Sequence, residues 1–303
     1  MHPNKIFIFS RGELAQVNME RKFQDKTLEF VIGDIRDREA IDNVMRKDID
    51  MVYHMAALKH VPICENHPQE TVKTNINGTI NLINSAIKYK VKKFVDVSTD
   101  KAVSPINLYG YTKAIGEKIT IQANNQTDDT DFVCVRGGNV IGSNGSVVPL
   151  FINQIQKNNK ITITDTNMTR FFLTLSQAIN LLFQATIDST RGETFVMNMP
   201  SFYMTDIADV IISEYGNEYT EKVIIGKREG EKIHEVLIST AEAARSFIFN
   251  KNYFIIKPEL KIDEKTISLY RKDLERVDFT EFSSNTNIKD KNLFESLLRE
   301  SGF

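Results

Sequence analysis

The chain has 303 residues, 41% hydrophobic and 26% charged, a globular balance that excludes a disordered chain and leaves room for one large domain or two of ordinary size. Lys and Arg number 38 and Asp and Glu 40, for a net charge of −2 and a pI near 6.3, so no general electrostatic pull toward nucleic acid or an anionic membrane exists. Two cysteines, Cys64 and Cys134, are too few for a disulfide framework or a cysteine-rich zinc site. No apolar run approaches the roughly 20 residues of a membrane helix, and the short run after Lys5 is too brief for a signal peptide, so a cytoplasmic setting is expected.

In chain order, Ile6-Phe7-Ile8-Phe9 is a fully apolar run, as expected of a strand buried on both faces. Charged helical sequence follows from Gly12 to Phe23. A strand at Leu28–Ile32 closes in Gly33-Asp34, and Arg38 to Arg46 reads as a short helix. Met51-Val52-Tyr53-His54 is strand-like and ends in Ala56-Ala57. A long helix is expected from Pro68 to Tyr89, then a strand at Phe94–Ser98, a helix from Leu108 to Ala123 and a strand at Phe132–Val135. Such alternation predicts βαβ units in a parallel, doubly wound sheet of Rossmann type over residues 1–145. Regularity weakens beyond the loop at Gly142-Ser143-Asn144-Gly145-Ser146. Helices at Ser176–Ile187 and Thr205–Tyr215, the latter capped by Thr205, and strands at Thr194–Met197 and Val223–Gly226 suit a smaller α/β part over 146–303, with some segments returning to the sheet. The last ~50 residues read as a loose tail with one terminal helix. Phe171, Phe172, Leu173, Leu175, Ile179 and Leu182 read as core, Cys64 and Cys134 as buried thiols, and Lys90, Lys92 and Lys93 as a solvated helix end. His54, His60, His67 and His234 lack metal-ligand spacing, and no metal is expected.

Four patterns carry chemistry. Ser10-Arg11 ends the first strand where an acid would select the ribose 2′-hydroxyl of NAD; serine and arginine suit the 2′-phosphate of NADP instead, or Arg11 merely starts a solvated helix. Asp34, after the turn-permitting Gly33, could bond an adenine amino group or simply close a turn. Tyr109 and Lys113 stand four apart on one helix face, and an adjacent ammonium favours a phenolate able to take a hydroxyl proton. They open the helix after a strand whose carboxyl end, in a parallel sheet, presents ligands. Ser98-Thr99-Asp100-Lys101 at that same end sets an acid and an amine beside a hydroxyl, an acid–base set for eliminating water next to a ketone, or else a surface ion pair.

The block His54-Met55-Ala56-Ala57-Leu58-Lys59-His60-Val61-Pro62 resembles the extended short-chain dehydrogenase/reductases, and more narrowly the UDP-N-acetylglucosamine 4,6-dehydratases of the CapD-like polysaccharide biosynthesis family. Asn107-Leu108-Tyr109-Gly110, Gly138-Asn139-Val140, Gly145-Ser146-Val147-Val148-Pro149, Met168-Thr169-Arg170-Phe171 and Arg228-Glu229-Gly230-Glu231-Lys232 recur there in this order. The resemblance implies that Ser10, Arg11 and Glu13 hold the 2′-phosphate of NADP, Asp34 and Ile35 the adenine, and Ala56, Ala57 and Val140 other parts of the cofactor. It implies that Lys59 reaches both cofactor and a UDP-sugar, that Thr99 and Asn139 touch the sugar and Arg228 the diphosphate, and that Asp100 and Lys101 form the acid–base pair with Tyr109 and Lys113 the redox pair. A homo-oligomer is also expected. In the implied cycle, Tyr109 takes the carbon-4 hydroxyl proton, Lys101 with Asp100 removes the carbon-5 proton, and the carbon-6 hydroxyl leaves as water. An epimerase or 4-keto reductase of the same fold, and a non-catalytic remnant, are the alternatives.

Three departures from the pattern stand out. Ser-Arg-Asp-Glu becomes Ser10-Arg11-Gly12-Glu13, and Arg-Tyr-Gly-Asn becomes Arg136-Gly137-Gly138-Asn139, which loses an aromatic wall. The family's opening strand and glycine-rich loop have no counterpart near residue 1, so a first βα unit of about 30 residues is missing from the expected sheet. In strand order 3-2-1-4-5-6 that strand is central. Its loss implies a start downstream of the true one, a degraded product, or direct closure of the two neighbouring strands.

Overall fold

In this computed structural model, which describes residues 2–259 and 274–303, the largest sheet has six strands. β3 (Met51–His54), β4 (Lys93–Thr99), β5 (Asp131–Gly137) and β9 (Thr194–Met197) lie side by side in parallel, and the hairpin β13 (Ser246–Asn250) and β14 (Tyr253–Ile256) adds two antiparallel strands beyond β9. The period of two along the strands splits the core. Phe94 and Phe132 point to one face and meet Ile41, Met45, Leu82 and Ile83 of α2 (Arg38–Met45) and α5 (Gly78–Lys88). Val95, Val133 and Val135 point to the other and meet Leu181 and Ala185 of α8 (Leu175–Asp188). Cover on both faces is what the unbroken apolar run of β5 demanded.

β1 (Ile6–Ser10) and β2 (Leu28–Ile32) form a parallel pair of their own, in register from Ile6 opposite Leu28 to Ser10 opposite Ile32. Among the described residues neither strand is hydrogen bonded to the six-stranded sheet. β1 and β3 therefore do not close up directly, and the expected central gap is present. Side chains bridge it: Phe9 of β1 and Val52 of β3 pack on one cluster with Ile35 and Phe94.

The remaining elements are α1 (Glu13–Phe23), α3 (Val61–Asn66), α4 (Pro68–Val72), α6 (Leu108–Gln122), α7 (Val147–Asn158), α9 (Met204–Tyr215), α10 (Thr240–Ala243), β6 (Asn139–Val140), β7 (Lys160–Ile163), β8 (Thr169–Leu173), β10 (Ser201–Tyr203), β11 (Glu221–Ile224), β12 (Val236–Ile238), β15 (Phe282–Ser283) and a terminal helix, Lys291–Glu300. β10, β8 and β6 form a second sheet, and α7, α9 and the terminal helix enclose its core.

Five expectations need correction. The long helix from Pro68 is interrupted by a π turn, Lys73–Asn77, which turns the Asn75 side chain inward. α9 begins at Met204 with Tyr203 at its cap and no side-chain cap bond, so Thr205 does not cap it. The tail is not loose: Phe294 and Leu298 are fully buried, and the Phe294 ring centroid lies 5.3 Å from those of Phe172 and Phe202. Leu175 and Ile179 are exposed rather than core. A further part of the expected tail, residues 260–273, lies outside the described residues. Cys64 and Cys134 are buried as expected. Lys90 and Lys92 are solvated, whereas Lys93 is folded against Asp131 at 3.3 Å.

The two adjacent glycines of β5 and the loop after it differ sharply. A Cβ on Gly138 would lie 2.7 Å from the Phe171 Cβ and 2.9 Å from its carbonyl oxygen, whereas one on Gly137 would meet nothing within 4 Å. Gly138→Ala should therefore lower stability by about 1–3 kcal/mol. Gly137→Ala should leave it unchanged or raise it by up to about 1 kcal/mol, because alanine restricts the unfolded chain more than glycine does. Urea denaturation of the two variants checks both.

Candidate active site

The site begins at the carboxyl end of β4. Asp96 is wholly buried on this strand, and a buried carboxylate needs a partner. Lys113 of α6 supplies it, with Nζ 3.1 Å from Oδ1. Burial works against the charge on Lys113, but Asp96 outweighs it and the ammonium is held above its ordinary pKa. His54 at the end of β3 completes the cluster: its Nε2 shares a 2.9 Å hydrogen bond with Thr79 Oγ1 and lies 4.0 Å from Asp96 Oδ1. Burial drives the His54 pKa down to about 4, against the pull of Asp96 and with the help of Lys113.

Thr99 caps the turn that ends β4. Its Oγ1 donates to Asp100 Oδ1 at 2.8 Å and accepts from the Lys101 backbone N–H at 3.4 Å. Asn107 caps α6 by accepting from the Gly110 N–H at 2.8 Å, while its Nδ2 donates to Gly230 O at 2.8 Å and ties α6 to the distant loop 228–235. Asn75 does the same for the segment after β3. It accepts from the Leu58 N–H at 2.8 Å and donates to Leu58 O at 2.9 Å and to Thr112 Oγ1 at 3.0 Å.

Tyr109 stands between Lys113 and the Asp100–Lys101 pair. Burial pushes its hydroxyl above the ordinary tyrosine pKa, and Lys113 and Lys101 pull it only partly back. Lys101 lies between two carboxylates, with Nζ 3.1 Å from Asp100 Oδ1 and 3.5 Å from Glu235 Oε1. Burial opposes its charge and Arg170 adds to that opposition, yet Asp100 and Glu235 prevail and hold Lys101 as an ammonium. Asp100 Oδ2 and Glu235 Oε2 are buried without a hydrogen-bond partner. Lys232 Nζ is 3.7 Å from Glu235 Oε2 and donates to Val103 O at 2.6 Å. Arg170 donates to the carbonyls of Thr169, Lys232 and Ile233 and so holds the loop bearing Glu235.

A cavity of about 320 Å³ opens beside this cluster, with Lys59, Lys101, Asn139 and Arg228 in its wall. Five cationic side chains, Lys59, Lys101, Arg170, Arg228 and Lys232, line it against three carboxylates, Glu229, Glu231 and Glu235. A chain of slightly negative net charge thus has a positive cavity, suited to a diphosphate. Thr99, Asp100, Tyr109 and Lys113 gather at one strand end beside that wall. Ser10, Arg11, Glu13 and Asp34 lie on the separate β1–β2 unit and its turns. Arg11 is half exposed and 3.7 Å from Asp34, whose carboxylate is already gripped by Arg36 at 2.6 and 2.9 Å and held below the usual range, chiefly by that bond. Ile35 is buried against Gly78 in the core, and Val140 packs on the α8 side of the sheet. Ala56 is exposed and Ala57 half-buried just past β3.

These residues fit two ends of a nicotinamide dinucleotide: an acid and an arginine at β1–β2, and a tyrosine–lysine pair at β4–α6. They do not provide its middle. Gly12 caps α1 with φ −86° and no side-chain cap bond, and no glycine-rich turn lies at the amino end of a helix beside β3 among the described residues. No cluster of His, Cys, Asp and Glu able to hold a metal is present among them, and no helix there is long and apolar enough to cross a membrane.

A Rossmann-like sheet with a Tyr-x-x-x-Lys pair and a basic cavity defines the nucleotide-sugar branch of the short-chain dehydrogenase/reductase fold. Residues 1–257 match the family described as polysaccharide biosynthesis protein, and the chain belongs to it. It is 39% identical over 312 aligned positions to the UDP-N-acetylglucosamine 4,6-dehydratase (inverting) of Campylobacter jejuni, an alignment covering 99% of this chain and 91% of that one. It is 41% identical to the UDP-glucose 4-epimerase of Rickettsia canadensis over 80% of this chain and 71% of that one. Among solved structures, Pen from Bacillus thuringiensis superposes with a TM-score of 0.91 at 38% identity, covering 99% of this chain and 90% of that one. DesIV of Streptomyces venezuelae, a dTDP-glucose 4,6-dehydratase with NAD bound, shares the fold at TM-score 0.70 and 20% identity.

Glu235, Arg170 and Lys232 are site residues that the sequence reading did not assign. The signal that could have found Glu235 is its closeness to the Arg228–Lys232 motif, three residues past that motif's end.

The buried neutral His54 has a consequence for stability. Its folded pKa lies below its unfolded value of 6.5, so the unfolded chain takes up a proton first as pH falls. The neutral imidazole carries no penalty above about pH 6.5, and stability is lost between there and about pH 4, by on the order of 3 kcal/mol. His54→Gln should flatten urea-denaturation midpoints across that window.

Proposed function

We propose that the chain is a UDP-N-acetylglucosamine 4,6-dehydratase, which removes water from the sugar and leaves a 4-keto-6-deoxy product, with inversion at carbon 5. The observation that carries this reading is Lys101 held between Asp100 and Glu235 at the wall of a basic cavity, beside Tyr109 and Lys113. Oxidation at carbon 4 by the Tyr109–Lys113 pair would serve a dehydratase and an epimerase alike; eliminating water needs an additional acid and base, and this cluster offers both.

Lys59 and Arg228 take the diphosphate, for which a guanidinium fork is suited, and Asn139 takes the acetamido side of the sugar. Ser10 and Arg11 favour NADP over NAD, with Lys113 at the nicotinamide ribose. When bound, the nicotinamide accepts a hydride from the sugar and returns it, so the overall reaction is redox-neutral. Tyr109, acting as the phenolate that Lys113 and Lys101 favour, takes the proton of the carbon-4 hydroxyl as the hydride leaves carbon 4, and the ketone so formed acidifies the proton on carbon 5. Lys101 is an ammonium at rest, so before acting as a base it passes one proton to Asp100, 3.1 Å away. The free amine then removes the carbon-5 proton, and protonated Asp100 gives its proton to the departing carbon-6 hydroxyl, which leaves as water. Charge and protons balance within the pair.

Incubation with UDP-N-acetylglucosamine and NADP, followed by mass spectrometry of the sugar nucleotide, should show loss of one water. A product of unchanged mass with altered stereochemistry at carbon 4 would give the epimerase reading instead, which the Rickettsia relative favours. Glu235→Gln removes one of the two carboxylates that hold Lys101 protonated. The acidic limb of the kcat–pH profile should move to lower pH in that variant, whereas a purely structural loss would lower the whole profile without moving it.

A further inference from the structure

Glu235 is held in place by its backbone and left free at one side-chain oxygen. Its N–H donates to Ser284 Oγ at 2.9 Å, and its carbonyl accepts from the Ser284 N–H at 2.8 Å. The carbonyl also accepts from Ser283 Oγ at 3.3 Å, and Ser284 Oγ shares a 2.6 Å hydrogen bond with Thr169 Oγ1. The residue is thus clamped to β8 and to the end of β15. It is 2% exposed, and it forms part of the cavity wall.

Three cations surround the carboxylate without completing it. Lys101 Nζ is 3.5 Å from Oε1 and Arg170 Nε 3.9 Å from it. Lys232 Nζ is 3.7 Å from Oε2 and gives its hydrogen bond to Val103 O at 2.6 Å. Oε2 is therefore buried with no hydrogen-bond donor. A carboxylate is an acceptor only, and a buried acceptor is costly to leave unsatisfied. Such an atom is completed by water or by a ligand, and here the donor enters from the cavity.

The neighbouring chemistry identifies that donor. In the proposed reaction Lys101 acts on carbon 5 of the sugar, whose neighbours besides its hydrogen are carbon 4, the ring oxygen and carbon 6. The carbon-4 hydroxyl is engaged by Tyr109, and the ring oxygen carries no hydrogen. The carbon-6 hydroxyl is the donor left beside a carboxylate that flanks Lys101. We infer that Glu235 Oε2 accepts the hydrogen of the carbon-6 hydroxyl, so that the departing group is held between two carboxyl groups, Glu235 on its hydrogen and Asp100 on its oxygen. This contact rests on the dehydratase reading above.

Atoms and electrons balance with Glu235 a carboxylate throughout. The carbon-5 proton goes to the Lys101 amine, and the pair it leaves forms the double bond between carbons 5 and 6. The bond from carbon 6 to oxygen breaks with its pair on oxygen. That oxygen keeps its own hydrogen, bonded to Glu235, and gains a second from Asp100, so neutral water leaves. An acceptor on the hydroxyl hydrogen polarises the oxygen toward the Asp100 proton. A ligand without this hydroxyl leaves Oε2 unpaired, and such a site rejects it strongly.

The test is a binding cycle on the whole chain by isothermal titration calorimetry, without cofactor so that no turnover occurs. The ligands are UDP-N-acetylglucosamine and its 6-deoxy and 3-deoxy analogues. The unsubstituted chain should bind the 6-deoxy analogue about ten- to hundredfold more weakly than the parent. In Glu235→Ala that ratio should fall below about threefold, while the ratio for the 3-deoxy analogue stays as it was. Glu235→Gln, which keeps the shape and a neutral acceptor, should give an intermediate ratio, and circular dichroism should match across the three chains. A 6-deoxy ratio unchanged in Glu235→Ala, or lost in Asp100→Asn instead, would overturn the contact, as would loss of the 3-deoxy ratio in its place. Should Glu235→Ala not fold, an undiminished ratio in Glu235→Gln overturns it equally. If the cycle runs as expected but no water is lost with NADP present, the dehydratase reading falls and the contact stands. Failure of UDP-N-acetylglucosamine to bind removes both.

Discussion

The wholly buried carboxylate of Asp96 is the constraint from which the site is built. A charge so placed is tolerated only with a cation beside it, and Lys113 reaches it from the first turns of α6. That one pairing sets the rotation of α6 against β4. It brings Tyr109, on the same helix face, beside the strand end that carries Asp100 and Lys101. Burial, helped by the Lys113 ammonium, keeps the neighbouring His54 imidazole neutral against the pull of the same carboxylate. Arg136 plays a similar part further along the sheet, where its guanidinium bonds Glu117 of α6 at 2.8 and 2.6 Å and Glu242 of α10 at 3.0 and 2.7 Å. Two buried ion pairs therefore fasten α6 to consecutive parallel strands, and the helix that presents Tyr109 is held at two points one turn apart.

Much of the fold was legible because local physics and tertiary structure agreed. Apolar runs of strand length at β2, β3, β4 and β5 became strands, and the Tyr109–Lys113 spacing became one face of α6. The terminal helix was legible as an element but not as core, since Phe294 and Leu298 find their partners on β8 and β10, far back in the chain. Leu175 and Ile179 show the opposite error. Their helical period reads as a buried face, and periodicity alone does not say which apolar flank of a helix the sheet covers.

The proposed catalytic cluster was half legible for a related reason. Thr99, Asp100 and Lys101 are neighbours in sequence, so their juxtaposition could be read directly. Glu235 reaches Lys101 from more than a hundred residues away, through a loop held by Arg170 and Asn107, and no pattern of spacing encodes such a contact. Asp34 illustrates the limits of a residue read without its neighbours. The carboxylate expected to meet an adenine is engaged by Arg36, two positions on. Gly137 faces open space, since a Cβ built there would meet nothing within 4 Å.

The division of the sheet also governs how the molecule comes apart. In a continuous ladder each strand is cross-linked to the next by backbone bonds, and loss of one strand undermines all the others. Here the β1–β2 pair is joined to the larger sheet through side chains such as Phe9 and Ile35. Its opening breaks no ladder bond of the six-stranded sheet. This unit is therefore a separate layer of cooperativity, able to open at a lower free energy than global unfolding. Arg11, Glu13 and Asp34 belong to the part of the protein that unlocks first, while Asp96, Tyr109 and Lys113 belong to the part that unlocks last.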